Sequence, residues 1–156
     1  MDVAQKMALL DQCPQYQFMP QLRADMEGFL TRNAAVEAQV AGISFQNQPK
    51  HNVVMLRGKL PIKLQSRTRT IGFKFLIPVQ YPFVAPYVYL DEPVNQSVID
   101  MIDYVEPNNR IKNEFITKWS QRHNDPVWKG KLNLNHLLYE VYQLFSKAPP
   151  LSFEEM

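Results

Sequence analysis

The sequence is short of almost everything that catalysis recruits. One cysteine, Cys13, stands among 156 residues. No intramolecular disulfide can form, and a lone thiol fits a reducing compartment. The five glycines are scattered, which excludes a glycine-rich loop that cradles phosphates. His51, His123 and His136 show no i, i+4 spacing, so no metal site is expected from them, and no cofactor is expected. The formal net charge is +2, without a cluster of lysine or arginine, so neither nucleic acid nor an anionic membrane is expected as a partner. No apolar run approaches the roughly 18 residues that a membrane span needs. The opening MDVAQKMALLDQCPQ is too polar for a secretory signal and lacks the arginine- and serine-rich character of a transit peptide.

What is present is an ordinary globular composition, 46% hydrophobic and 21% charged, with twelve prolines. The length fits one domain over residues 1–156. Val3, Met7 and Leu10 give residues 2–12 a short helical spacing closed by Pro14. Leu22, Met26, Phe29 and Leu30 mark one stripe of a second helix over about 21–36. From about Val40 the period becomes two. Ile43 and Phe45 lead to the turn-rich tip FQNQPKHN, and VVMLRGKLPIKL returns as a second strand. RTRT (67–70) reads as a charged turn, IGFKFLIPV as a third strand and PYVYL as a short fourth. Periodicity then lapses, with SVIDMIDYV either a short helix or an irregular run. Leu132 to Phe145 carries the strongest helical stripe, and Lys147-Ala-Pro-Pro stops it. The fold class is α+β: helix, four-stranded antiparallel meander, irregular crossing segment, C-terminal helix.

Few residues invite chemistry. Cys13 has no basic neighbour to lower its pKa and reads as structural. Asp100, Asp103 and Glu106 read as a solvated face, and His123-Asn124-Asp125-Pro126 as an Asx turn. Tyr81, Phe83, Tyr87, Tyr89 and Tyr104 crowd one region. They form either the edge of the core or a docking platform for an extended peptide.

YPFVAPYVYLDEP (81–93) resembles the YP-x-x-P-P strand-four element of the ubiquitin-conjugating fold. VEPNNRIKNEFITKW (105–119) is similar to that family's active-site segment, in which N-G-x-I-C-L precedes a tryptophan. The resemblance covers about residues 20–153 and is best to the catalytically inactive branch, the ubiquitin-conjugating enzyme variants (UEV). Within it, the chain most resembles the UEV domain of the tumour-susceptibility and vacuolar-sorting subunit of the endosomal sorting complex. RGKLPIKL through QYP aligns without gaps, and APPLSF matches the branch's P-P-x-F tail.

The resemblance implies no enzyme. Lys112 stands where active members carry the thioester cysteine, and Tyr104-Val105-Glu106 replaces the H-P-N triplet. A lysine amine cannot hold a transferable thioester. It also implies a ubiquitin-binding set at Phe45, Gln46, Asn47, Leu76 and Tyr89, with Leu76 replacing a tryptophan. A peptide groove is implied at Leu64, Arg69 and Tyr81, with Leu64 and Arg69 replacing aromatics. The implied function is a protein–protein interaction module for ubiquitin or a proline-containing peptide in sorting or ubiquitin pathways, cytoplasmic or endosome-associated. The alternative is a repurposed subunit of a large assembly, organellar (for example mitochondrial) in one version, which the lost recognition aromatics favour.

Overall fold

Capping decides where the first helix begins. In a computed structural model that describes every residue except 46, 48, 153, 154 and 156, α1 spans Val3–Ala8 behind Asp2. The Asp2 carboxylate accepts from Gln5 N, and Asp2 N donates to Gln5 Oε1, both at 2.8 Å. This reciprocal pair satisfies two N–H groups that helix ends leave orphaned. A 3₁₀ turn over Leu9–Gln12 continues it. Lys6 reaches past the core edge, and its buried ammonium donates to Ala34 O (2.8 Å) and Val36 O (2.6 Å). That bond pair fastens α1 to the chain entering the sheet.

Helix α2 spans Met19–Arg32 with Pro20 in its first turn, where a missing N–H costs nothing. It buries Leu22, Met26, Phe29 and Leu30, the stripe read from spacing. It stops short of the expected residue 36 because Asn33 turns its side chain back, Nδ2 donating to Phe29 O at 2.8 Å. The chain is thereby freed to enter β1 at Glu37, ahead of the expected Val40.

The sheet is antiparallel throughout, in the order β1 (Glu37–Ile43), β2 (His51–Lys63), β3 (Thr68–Leu76), β4 (Tyr87–Leu90). Thr68–Thr70, expected as turn, belong to β3; the reversal itself is closed by Leu64 N donating to Arg67 O at 2.8 Å. Pairing of Leu56 with Phe75, and of Phe75 with Val88, places these three on one face. That face meets α2, where Phe29 lies 6.1 Å from Phe75. The outer face carries Arg57, Lys74 and Tyr89 in one row and Met55, Leu76 and Tyr87 in the next. Alternation of side chains along a strand produces this division.

Beyond β4 come α3 (Gln96–Met101), which resolves the ambiguous SVIDM run as helix, then α4 (Glu114–Thr117), α5 (Trp119–Arg122) and a 3₁₀ turn at Pro126–Trp128. Asp125 caps that turn, accepting from Val127 N at 3.0 Å, as the Asx reading requires. Residues 109–111 run along β4: Leu90 N donates to Asn109 O and Ile111 N to Val88 O, both at 2.8 Å. The closing helix α6 (Leu134–Lys147) buries Leu134, Leu137, Val141 and Phe145. Each such side chain contributes roughly 1.5–3 kcal/mol on burial.

Candidate functional site

The proline-bounded segment after β3 is held from beneath by one carboxylate. Tyr81 is 0% exposed, and its hydroxyl donates to Asp25 of α2. Both Asp25 oxygens also face Leu134 N, at 3.3 Å, so α2, residue 81 and the start of α6 meet at one group. Burial pushes the Asp25 carboxyl above its ordinary value, and the bonds from Tyr81 and Leu134 pull it partly back. Trp119 lies beside this point, fully enclosed, its Nε1 donating to Pro82 O at 2.6 Å. Tyr81 therefore forms the foundation of the segment and does not line a groove, which corrects its assignment to a peptide groove.

The crossing segment keeps its frame. Ile111 is buried and bridges to Val105, while Lys112 is exposed, with its N–H donating to Tyr104 O at 2.9 Å. Tyr104 is buried, and its hydroxyl donates to Ala148 O. Desolvation holds both the Tyr81 and Tyr104 hydroxyls far above the usual phenol range, so each remains a neutral donor. Among the described residues no cluster of three His, Cys, Asp or Glu side chains could hold a metal ion. Cys13 is fully buried, and desolvation raises its pKa, which leaves it a protonated, poorly nucleophilic thiol at neutral pH.

The outer face of the sheet is where the expected recognition residues converge. Leu76 pairs across the strands with Tyr87, and Lys74 with Tyr89. Phe45 packs against Tyr87 at a tilt of 59°, with ring centroids 4.6 Å apart. Arg110 lies over the Tyr87 ring at 4.4 Å and Lys74 over Tyr89 at 4.9 Å, within the range of cation–π contacts. Asn47 is exposed at φ 65°, a left-handed conformation that asparagine tolerates better than most residues. Gln46 lies outside the described residues. Phe45 and Leu76 are themselves largely covered, each 7% exposed, so the accessible surface belongs to Tyr87, Tyr89, Lys74 and Arg110. Sequence reasoning placed Tyr87 in the aromatic crowd but not in the ubiquitin-binding set, where the two-residue step from Tyr89 could have put it, and it missed Arg110.

The aromatic crowd does not form one platform. Tyr81 and Tyr104 are core, Tyr87 and Tyr89 lie on the outer face, and Phe83 packs against Phe18 (4.5 Å) and His123 (4.3 Å). Of the expected peptide groove, Leu64 is half-buried at the end of the β2–β3 hairpin. Arg69 is committed to Glu155, donating from Nη1 to its carbonyl at 2.8 Å.

A leading helix, a four-strand meander, a crossing segment pinned by an enclosed tryptophan and a closing helix define the ubiquitin-conjugating class of fold. Within that class the model of the UEV domain matches residues 8–153, and the chain belongs to the UEV domain family. The match begins earlier than the resemblance read from motifs, taking in the end of α1. Two solved structures align along nearly the whole chain. One is the yeast Vps23 UEV domain in complex with a Vps27 PSDP peptide, at 16% identity and TM-score 0.69, covering 96% of this chain and 93% of that one. The other is a complex of the Vps23 UEV with ubiquitin, at 17% identity and TM-score 0.64, covering 96% of each chain. No curated protein sequence matches.

Proposed function

We propose that the chain is a noncatalytic interaction module that binds ubiquitin on the outer face of its sheet. The observation that carries this reading is the half-exposed group Tyr87, Tyr89, Lys74 and Arg110, backed by the buried Phe45 and Leu76. Two tyrosines, each in contact with a cation, offer amphipathic contact area at low entropic cost, which suits the centre of a protein interface. One structural neighbour is a UEV bound to ubiquitin, which supports the choice of partner.

Conjugation is not part of this function. The motif resemblance puts Lys112 where active members carry the thioester cysteine, and Tyr104-Val105-Glu106 in place of the triplet that would stabilise the oxyanion. Incubation with activating enzyme, ATP and ubiquitin is expected to give no thiol-reducible adduct.

A short proline-containing peptide is the second ligand class, favoured by the neighbour solved with a PSDP peptide. Neither the family nor the neighbours support the alternative of a repurposed structural subunit. A cytoplasmic or endosome-associated location accompanies the module reading.

A ¹⁵N-resolved titration with ubiquitin tests the proposal. Shifts are expected at Asn47, Lys74, Tyr87, Tyr89 and Arg110, and their loss is expected in Tyr89→Ala at unchanged melting temperature. No shift at millimolar ubiquitin sinks it.

A further inference from the structure

The two margins of the sheet differ. Residues 109–111 run along β4 and close that side, while β1 is the outermost strand on the other. Among the described residues, no main-chain group of Glu37–Ile43 bonds to anything but β2. Alternate residues of an edge strand turn their N–H and C=O groups away from the sheet. β1 therefore offers an unfilled ladder seven residues long. Natural edges are blunted by lysine, proline or a bulge. EAQVAGI has no lysine or proline, and its pairing with β2 runs without interruption.

A charge stands at one end of this ladder. Lys6 is 5% exposed, and its ammonium donates to Ala34 O and Val36 O, just ahead of β1. An ammonium has three donors. Among the described residues the third finds no acceptor, and no carboxylate pairs with the charge. Met1, Ala34, Ala35 and Ala38 join Lys6 around a cleft of about 390 Å³. Glu37 borders the same cleft but belongs to the outer-face row with Arg57. Buried charges are normally paired, so the group missing here is an anion.

The geometry points to a strand-addition site on β1 for an extended peptide whose C-terminal carboxylate pairs with Lys6. Direction selects the terminal carboxylate. The sheet is antiparallel throughout, and antiparallel pairing is the more stable per residue. A strand added in that sense runs from Ile43 toward Glu37 and ends beside Lys6. Val36 O, already taken by the ammonium, stops the ladder there. Main-chain bonds supply the affinity of such a site, and pockets for side chains its selectivity. The alanine-lined cleft takes an aliphatic last residue. Proline cannot donate to a ladder, so this ligand is not the proline-containing class considered above. β2 and β3 separate the site from Tyr87 and Tyr89 on β4, which leaves the ubiquitin face free.

The test uses the full chain and a fluorescein-labelled hexapeptide of alternating threonine and valine, ending in valine, with a free or an amidated C-terminus. Anisotropy is expected to show the acid binding about tenfold more tightly than the amide, the worth of a charge-assisted hydrogen bond. Two further acids carry N-methyl groups on alternate amides. One set is expected to abolish binding and the other to leave it, because only every second N–H of an added strand meets β1. Hydrogen exchange at alternate β1 amides is expected to slow when the acid is bound. Lys6→Met, its fold checked by thermal melting, is expected to bind acid and amide alike. Equal binding of acid and amide to the unaltered chain overturns the proposal, as does tolerance of both N-methylated sets. An amidated peptide with an internal aspartate that matches the acid overturns the terminal assignment. A peptide-free dimer in sedimentation, with its β1 amides already slow, gives the edge to a second copy and overturns the peptide. Ubiquitin shifts at Tyr87 and Tyr89 in a sample that shows no β1 protection with the acid overturn this site alone.

Discussion

Tyr81→Phe removes a single hydroxyl from a position with no exposure. The hydroxyl's partner is the Asp25 carboxylate, which keeps only the Leu134 N–H at 3.3 Å once it is gone. A hydrogen bond to a charged group is worth about 1.5–3 kcal/mol net. Taking about 2 kcal/mol, the midpoint of thermal unfolding is expected to fall by roughly 4–8 °C for a chain of this size. The loss carries a pH signature. Burial raises the folded pKa of Asp25, and the Tyr81 hydroxyl opposes that rise. A carboxyl with a raised folded pKa contributes stability that is fully present below its unfolded value of about 3.9 and is lost as pH climbs through the folded value. Without the hydroxyl the folded value moves higher still, so the variant loses more over the same climb. Urea unfolding from about pH 4 to 7.5 is therefore expected to show a gap between the two proteins that is narrowest at the acid end and widens toward neutrality, at constant m. A gap that is independent of pH, or widest in acid, refutes the assignment of an ionised carboxylate as partner. A gap below about 0.5 kcal/mol refutes the bond itself.

Two glycines are expected to answer alanine in opposite directions. A Cβ on Gly72 would stand 2.5 Å from the backbone oxygen of Asp91, so Gly72→Ala is expected to cost about 1–3 kcal/mol in urea unfolding. Gly28, inside α2, has nothing within 4 Å, and Gly28→Ala is expected to add up to about 1 kcal/mol. Asn133 caps α6 by accepting from His136 N at 2.8 Å, and Asn133→Ala is expected to lower stability by about 1 kcal/mol in the same measurement. Cys13, buried and held protonated by desolvation, is expected to react with iodoacetamide at least about a hundredfold more slowly in the native chain than in urea. Comparable rates by mass spectrometry would contradict the burial.

The parts of the fold legible in sequence are those in which one element's pattern decides its own fate. The stripe of α6 and the alternation of Ile71, Phe73 and Phe75 could be read directly because each already records which side faces the core. The end of α2 could not be, since it depends on the Asn33 side chain returning to Phe29 O, and asparagine is equally at home in a turn or a cap. The candidate site divides in the same way. Phe45, Leu76 and Tyr89 came from the family pattern; register sets Leu76 beside Tyr87 and Lys74 beside Tyr89, and Phe45 reaches Tyr87 from beyond the end of β1. Asp25 gave no signal, because an acid on a helix reads as solvated until Tyr81 and Leu134, distant in sequence, are folded onto it. The tyrosine cluster misled for a related reason. Closeness in sequence did not place them on one surface: Tyr81 and Tyr104 lie outside β4 and turn into the core, while Tyr87 and Tyr89 within it share the outer face.

The hydrogen bonds between residues 109–111 and β4 have a consequence for colloidal behaviour. A four-residue strand at the margin of a sheet exposes unpaired N–H and C=O groups, a template onto which another chain can add. Here the crossing segment occupies that margin through Leu90 N to Asn109 O and Ile111 N to Val88 O. The crossing segment thereby withholds that margin from pairing with another chain. Replacement at Lys112 leaves that seam closed. A proline at Ile111, which removes the second of the two N–H donors, opens it, and the first symptom is self-association.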